Sequence, residues 1–270
     1  MWKNERQKAP VAAFLGWLLL VSAAVNAVLL LLEPYSVAYS ENGVLTLGYA
    51  VYALIGLLFS TPSPVVALFI TLRRKEKITV REFLGRFLET PRPVKTILIT
   101  GGFCLAAFVF ALVYGERNGS PWYLMPLGCI IMLPFVGFAE ETGWRGFLQP
   151  ALEKKLPFPA ATVIVAVIWW AWHLVLWVMP SSNHYGDSII GFAITIFVWA
   201  FAAAAIYRAT KSVLACAFYH AFINSIGAIW DWNSLFDAFP KENGMWLWFG
   251  AVFAASLIIT AFSGGKRKDN

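Results

Sequence analysis

The chain has 270 residues, 59% of them apolar and only 13% charged, with a net charge of +6. A soluble domain carries about a quarter charged residues, so this composition excludes a soluble globular enzyme and leaves a polytopic membrane protein. The positive charge is gathered in particular loops, which excludes a nucleic-acid interface and makes it a topology signal.

Eight apolar runs of spanning length, about 17–25 residues each, predict an all-α bundle of about eight transmembrane helices. They form a single integral membrane domain over residues 1–270. The basic N-terminus (Lys3, Arg6, Lys8) leads into the first run, 11–32, which is too long for a signal-peptide core and reads as a retained span. The second, 47–72, is interrupted by Thr61-Pro62-Ser63-Pro64. A basic loop, 73–95, follows. Its Phe83, Leu84, Phe87 and Leu88 alternate with basic residues and predict a short amphipathic helix anchored on anionic lipid. The third run is 94–114. The fourth, 123–148, carries Glu140, Glu141 and Arg145. The fifth, 158–179, holds His173. The sixth is 188–207, the seventh, 212–230, holds His220 and Asn224, and the eighth is 245–262. The runs are apolar all round, without the alternation that a spanning β-barrel needs.

The loops divide by charge. Lys3–Lys8, the 73–95 loop, Lys154 and Lys155, Arg208 and Lys211, and Lys266–Lys268 fall on one side. Arg117 and Lys241 fall on the other, with Glu33, Glu41, Glu116, Asp187, Asp231, Asp237 and Glu242. The asymmetry predicts a multi-pass protein of the cell membrane with both termini cytoplasmic. The three cysteines, Cys104, Cys129 and Cys216, lie in apolar runs without metal-ligand spacing and read as buried small side chains.

A charge near the middle of a bilayer costs roughly 2.5–3.5 kcal/mol on insertion scales, so three within six residues need compensation. Glu141 and Arg145 are four apart, share a helix face and form a self-neutralising pair. Glu140 points about 100° away and is free to face the bundle interior, where a carboxylate can serve as general base for water. Trp169 lies one turn before His173. His220 and Asn224 share a face and suit an oxyanion site or a helix contact. At about 1.5 Å per residue, Glu140 and His220 fall in the cytoplasmic half or near the middle, and His173 nearer the outer side. Gly137, Gly143 and Gly146 permit close helix approach, and Pro134 predicts a kink before the cluster. There is no His-Glu-x-x-His, no Gly-x-Ser-x-Gly, and no pair of aspartates in apolar runs.

Glu140-Glu141-x-x-x-Arg145, then Trp169-x-x-x-His173, then His220-x-x-x-Asn224 resembles the CAAX protease and bacteriocin-processing (CPBP, or Abi) family of membrane proteins. The likeness covers a catalytic core of residues 121–230, with Trp169 where the family commonly has Phe. It implies an eight-helix intramembrane endopeptidase, acting on a peptide or lipidated protein of the CAAX type, without nucleic acid. By position, Glu140 and His173 would activate the attacking water, and His220 and Asn224 would stabilise the oxyanion. Glu141, Arg145 and Trp169 would support the site. A cavity open to the cytoplasm and to lipid would admit the substrate. A metallopeptidase with Zn2+ on Glu140, His173 and His220 is the alternative to a metal-free, glutamate-activated water. Two readings from other classes stand beside the enzyme: a non-catalytic scaffold or bacteriocin self-immunity protein of the same fold, and an ion-coupled transporter.

Overall fold

Side chains that are apolar on every face leave the backbone no partner but itself, and the long runs accordingly fold as helices. The computed structural model describes residues 11–231 and 243–263. The helices are α1 (Val11–Asn42), α2 (Leu47–Ile55), α3 (Ser63–Glu76), α4 (Val80–Phe87), α5 (Pro93–Tyr114), α6 (Leu124–Leu152), α7 (Phe158–His173), α8 (Ile189–Thr210), α9 (Val213–Ile226) and α10 (Asn243–Ser263). A short 3-10 segment, Leu174–Val178, prolongs α7. Two residue pairs, Glu116–Arg117 and Trp230–Asp231, form a small antiparallel ladder, β1 with β2. The chain is all-α in character and reads as an integral, multi-pass membrane protein.

Helix ends follow local chemistry. Ser188 and Ser212 accept the backbone N–H groups of Gly191 and Ala215 and start α8 and α9. Thr79 and Glu82 cap each other's backbone at the start of α4. α8 is the most enclosed span, 72% buried, and is packed by α5, α7, α9 and α10. α9 lies along α6 and α5, while α1 pairs with α2 and α3.

By length and composition, six described helices can cross a membrane, or seven if α2 and α3, bent by 55° at Thr61-Pro62, make one span. An exact count of eight is not shown among the described residues. The seventh apolar run forms α9, whose 14 residues extend only about 21 Å, short of a bilayer core. The 73–95 loop does contain a short helix, α4. However, Phe83 and Phe87 are buried in the protein core, with Phe83 packed on Phe69, while Leu84 and Leu88 remain exposed. Glu33 is not a loop residue. It lies within α1, is buried, and accepts the Ser181 N–H at 2.7 Å.

The bundle has two distinct ends. At one, Arg92 donates to the Ala209 carbonyl at 2.9 Å, Arg208 pairs with Glu153 at 2.9 Å, and Arg86 pairs with Glu76 at 2.8 Å. At the other lie the β1–β2 ladder and the loop after α7, tied by Ser181 to α1 and α2. The basic loops thus share one end, as their charge suggested. The tails Lys3–Lys8 and Lys266–Lys268, and Asp237, Lys241 and Glu242, lie outside the described residues. All three cysteines are free and buried.

Candidate active site

The charged turn of α6 is not a regular helix. Two π-helical turns, Leu133–Phe138 and Trp144–Leu148, flank the short stretch Ala139–Gly143. Pro134 has no N–H to give and crowds the carbonyl four residues before it, so the widened turn falls where a kink was expected. Three glycines then let neighbours close over the turn. A Cβ on Gly137 would collide with the Ala217 carbonyl of α9; one on Gly143 would lie 2.8 Å from Pro64 of α3, and one on Gly146 2.9 Å from Phe87 of α4. Glu140, Glu141 and Arg145 are consequently 2%, 0% and 0% exposed.

Arg145 Nη1 donates to Glu141 Oε1 at 2.7 Å, the pair that the spacing predicts. Its Nη2 donates to the Ala200 carbonyl of α8 at 3.2 Å, and the guanidinium lies 4.9 Å over the Trp169 ring. The spacing did not reveal that His220 joins this pair. Its Nδ1–H donates to the same Glu141 Oε1 at 3.0 Å. An ionised carboxylate only accepts, so the bond fixes which ring nitrogen carries hydrogen. His220 therefore leaves Nε2 for other partners.

Glu140 is held separately. Its Oε2 accepts the Trp169 indole N–H at 2.7 Å and, more weakly, that of Trp144 at 3.4 Å. Oε1 has no hydrogen-bond partner among the described residues. Trp169 is thus a donor to the carboxylate as well as an aromatic wall. Trp144 was not singled out from the sequence, although it stands one helical turn after Glu140 on the same face.

A cavity of about 190 Å3 lies beside this cluster, lined among others by Trp169, His173, His220 and Asn224. His173 Nδ1–H donates to the Trp169 carbonyl at 2.8 Å, which leaves its Nε2 as a lone pair. The Asn224 carboxamide has no hydrogen-bond partner among the described residues. The cavity therefore brings together two imidazoles and a carboxamide. Glu140 is not part of its lining; Trp169, which holds Glu140, is. The same cavity is lined by Asn183 and His184 from the loop after α7, which no motif had marked. The sole sequence signal for His184 was its nearness to Asp187 in a polar loop between two apolar runs.

The donor set does not fit a resident metal ion. Among the described residues no three His, Cys, Asp or Glu side chains are grouped to hold one. No step below is routed through a metal.

The position of the cavity also bears on access. Asn183 and His184 belong to the end of the bundle opposite the basic residues, and no residue of the basic end lines the cavity. A cytoplasmic basic end and a cavity open to the cytoplasm were both expected. The lining reaches the end of the bundle opposite the basic residues.

Residues 121–226 match the family model described as type II CAAX prenyl endopeptidase Rce1-like. The stretch runs from the start of α6 to the end of α9 and contains every residue of the three motifs. The resemblance read from those motifs is thereby borne out over this part of the chain. No curated protein matches it.

Proposed function

We propose, from the likeness of residues 121–226 to CAAX-type intramembrane proteases, that this chain hydrolyses a peptide bond in a membrane-associated substrate with a glutamate-activated water. One observation carries the reading. A single cavity is lined by His173, His220 and Asn224 and by the tryptophan that holds Glu140.

Glu140 takes one proton from water, whose other O–H donates to the His173 Nε2 lone pair, as the water oxygen bonds to the scissile carbonyl carbon. The carbonyl π electrons move to oxygen. The Asn224 amide N–H donates to that oxyanion. His220, with Nδ1–H turned to Glu141, donates from Nε2 as an imidazolium, whose charge Glu141 offsets. The oxyanion electrons then re-form the carbonyl as the carbon–nitrogen bond breaks, and the leaving amine takes the proton held by Glu140. Glu141, Arg145 and Trp169 keep the reacting groups in register.

The test is a comparison of membrane-peptide termini between cells carrying the wild-type chain and cells carrying Glu140→Gln, each with and without chelator. New termini that depend on Glu140 and persist in chelator support the reading. Identical termini in the two strains contradict it and leave a scaffold or carrier. Loss of cleavage in chelator alone contradicts the metal-free route.

A further inference from the structure

The chain has three histidines, and all three line the one cavity. His173 and His220 come from the helices α7 and α9. His184 comes from the loop between α7 and α8 and has no part in the chemistry above.

That loop is held at every turn. Ser182 N–H donates to the Met179 carbonyl at 2.9 Å, Tyr185 N–H to the Ser182 carbonyl at 3.1 Å, and Asp187 N–H to the His184 carbonyl at 3.2 Å. Ser181 is tied to the buried Glu33, and the Trp177 indole donates to the Asp187 carbonyl at 2.8 Å. The imidazole of His184 stacks on Trp177 with centroids 5.2 Å apart and planes 17° apart, and packs against Phe192 at 4.8 Å. Its Nδ1 lies 3.1 Å from Asp187 Oδ2. The carboxylate accepts, so Nδ1 carries the hydrogen and Nε2 is a lone pair without a partner among the described residues. Burial between two aromatic rings pushes the imidazole below its ordinary pKa, against the pull of Asp187, and so favours the neutral ring. Beside it, the exposed Asn183 also lines the cavity.

A fixed acceptor next to an amide matches a peptide backbone, which offers one N–H and one C=O per residue. It does not match a carboxylate, which needs donors. We propose that His184, oriented by Asp187 and Trp177, is a substrate-binding residue at the cavity mouth that accepts a main-chain N–H of an extended peptide. Asp187 is its positioning residue. Recognition through the main chain makes the entrance tolerant of side-chain sequence. The proposal rests on the peptidase reading, since it assigns the same cavity a peptide.

The test uses the full chain in proteoliposomes and a fluorescent farnesylated peptide as probe. Binding is measured on the Glu140→Gln background, so it does not depend on turnover. His184→Leu should weaken binding roughly tenfold, the loss of about one hydrogen bond, while His184→Gln, whose carbonyl can replace Nε2, should restore most of it. Among probes N-methylated at one peptide bond at a time, one should bind His184→Gln and the parent background more weakly by the same factor, yet lose nothing further on His184→Leu. On the active background the Leu variant should raise KM and leave kcat within about twofold. Should His184→Leu fail to fold, Asp187→Asn and His184→Gln carry the same N-methyl comparison. Equal affinity in all variants, N-methyl losses independent of position 184, or a probe that binds no form overturns the proposal. Binding that follows the pattern without any Glu140-dependent cleavage sinks the peptidase reading alone.

Discussion

Glu141 and Arg145 show how much one buried pair carries. Both are fully enclosed, and Glu141 Oε1 also receives His220. Removing one partner of a buried ion pair leaves a charge with neither water nor counter-ion, at a cost of about 3–5 kcal/mol. Arg145→Leu is therefore expected to destabilise the protein by that order, read as a lowered Tm in detergent. Adding Glu141→Leu should recover part of the loss, because the orphaned charge is then gone. If Arg145→Leu melts with the wild type, the pair is not structural. The pair itself was legible from a spacing of four. The attachment of His220 to it was not, because that contact spans 79 residues of sequence and depends on how α9 lies against α6. His184 was illegible for a different reason: a loop histidine has no periodicity, and only the folded return of the loop brings it to the cavity.

Between residues and bundle stands the α6–α9 contact. Gly137 lies under the backbone of Ala217, so the two helices touch main chain to main chain at the π turn before Glu140. Gly137→Ala places a methyl group where a carbonyl already is. The helices must separate, and overpacking of this kind costs about 1–3 kcal/mol. Because α9 carries His220 and Asn224, the same displacement draws them from Glu140. Gly137→Ala should thus lower kcat more than tenfold, a loss far larger than a change in peptide affinity, while Gly101→Ala on α5, where an added methyl meets nothing, changes neither stability nor rate. Equal effects of the two substitutions would remove the close approach from the account. Small residues in the run foretold close packing. The two π turns were not foretold, since widened turns arise where neighbouring helices and a proline together stretch the ladder, and Pro134 alone signals only a break.

Across the whole molecule, hydropathy located almost every helix, because a run apolar on all faces has few alternatives in lipid. Span number was less legible. α9 is apolar enough but only 14 residues long, and α2 and α3 bend at a proline pair. Charge located the two ends. If the basic end is cytoplasmic, the loop that carries Asn183 and His184 faces the other compartment. In intact cells, Asn183→Cys should react with a membrane-impermeant maleimide, whereas Lys155→Cys should react only after permeabilisation. Cys104, Cys129 and Cys216 are buried and should stay silent. The reverse pattern would place this loop in the cytoplasm and the basic end outside.

The most direct measurement is single-turnover cleavage of a quenched farnesylated peptide by purified protein in proteoliposomes, wild type against Glu140→Gln, each with its Tm. The account predicts cleavage by the wild type, loss of at least about a thousandfold in the variant, and unchanged melting. Cleavage by Glu140→Gln at the wild-type rate would contradict it.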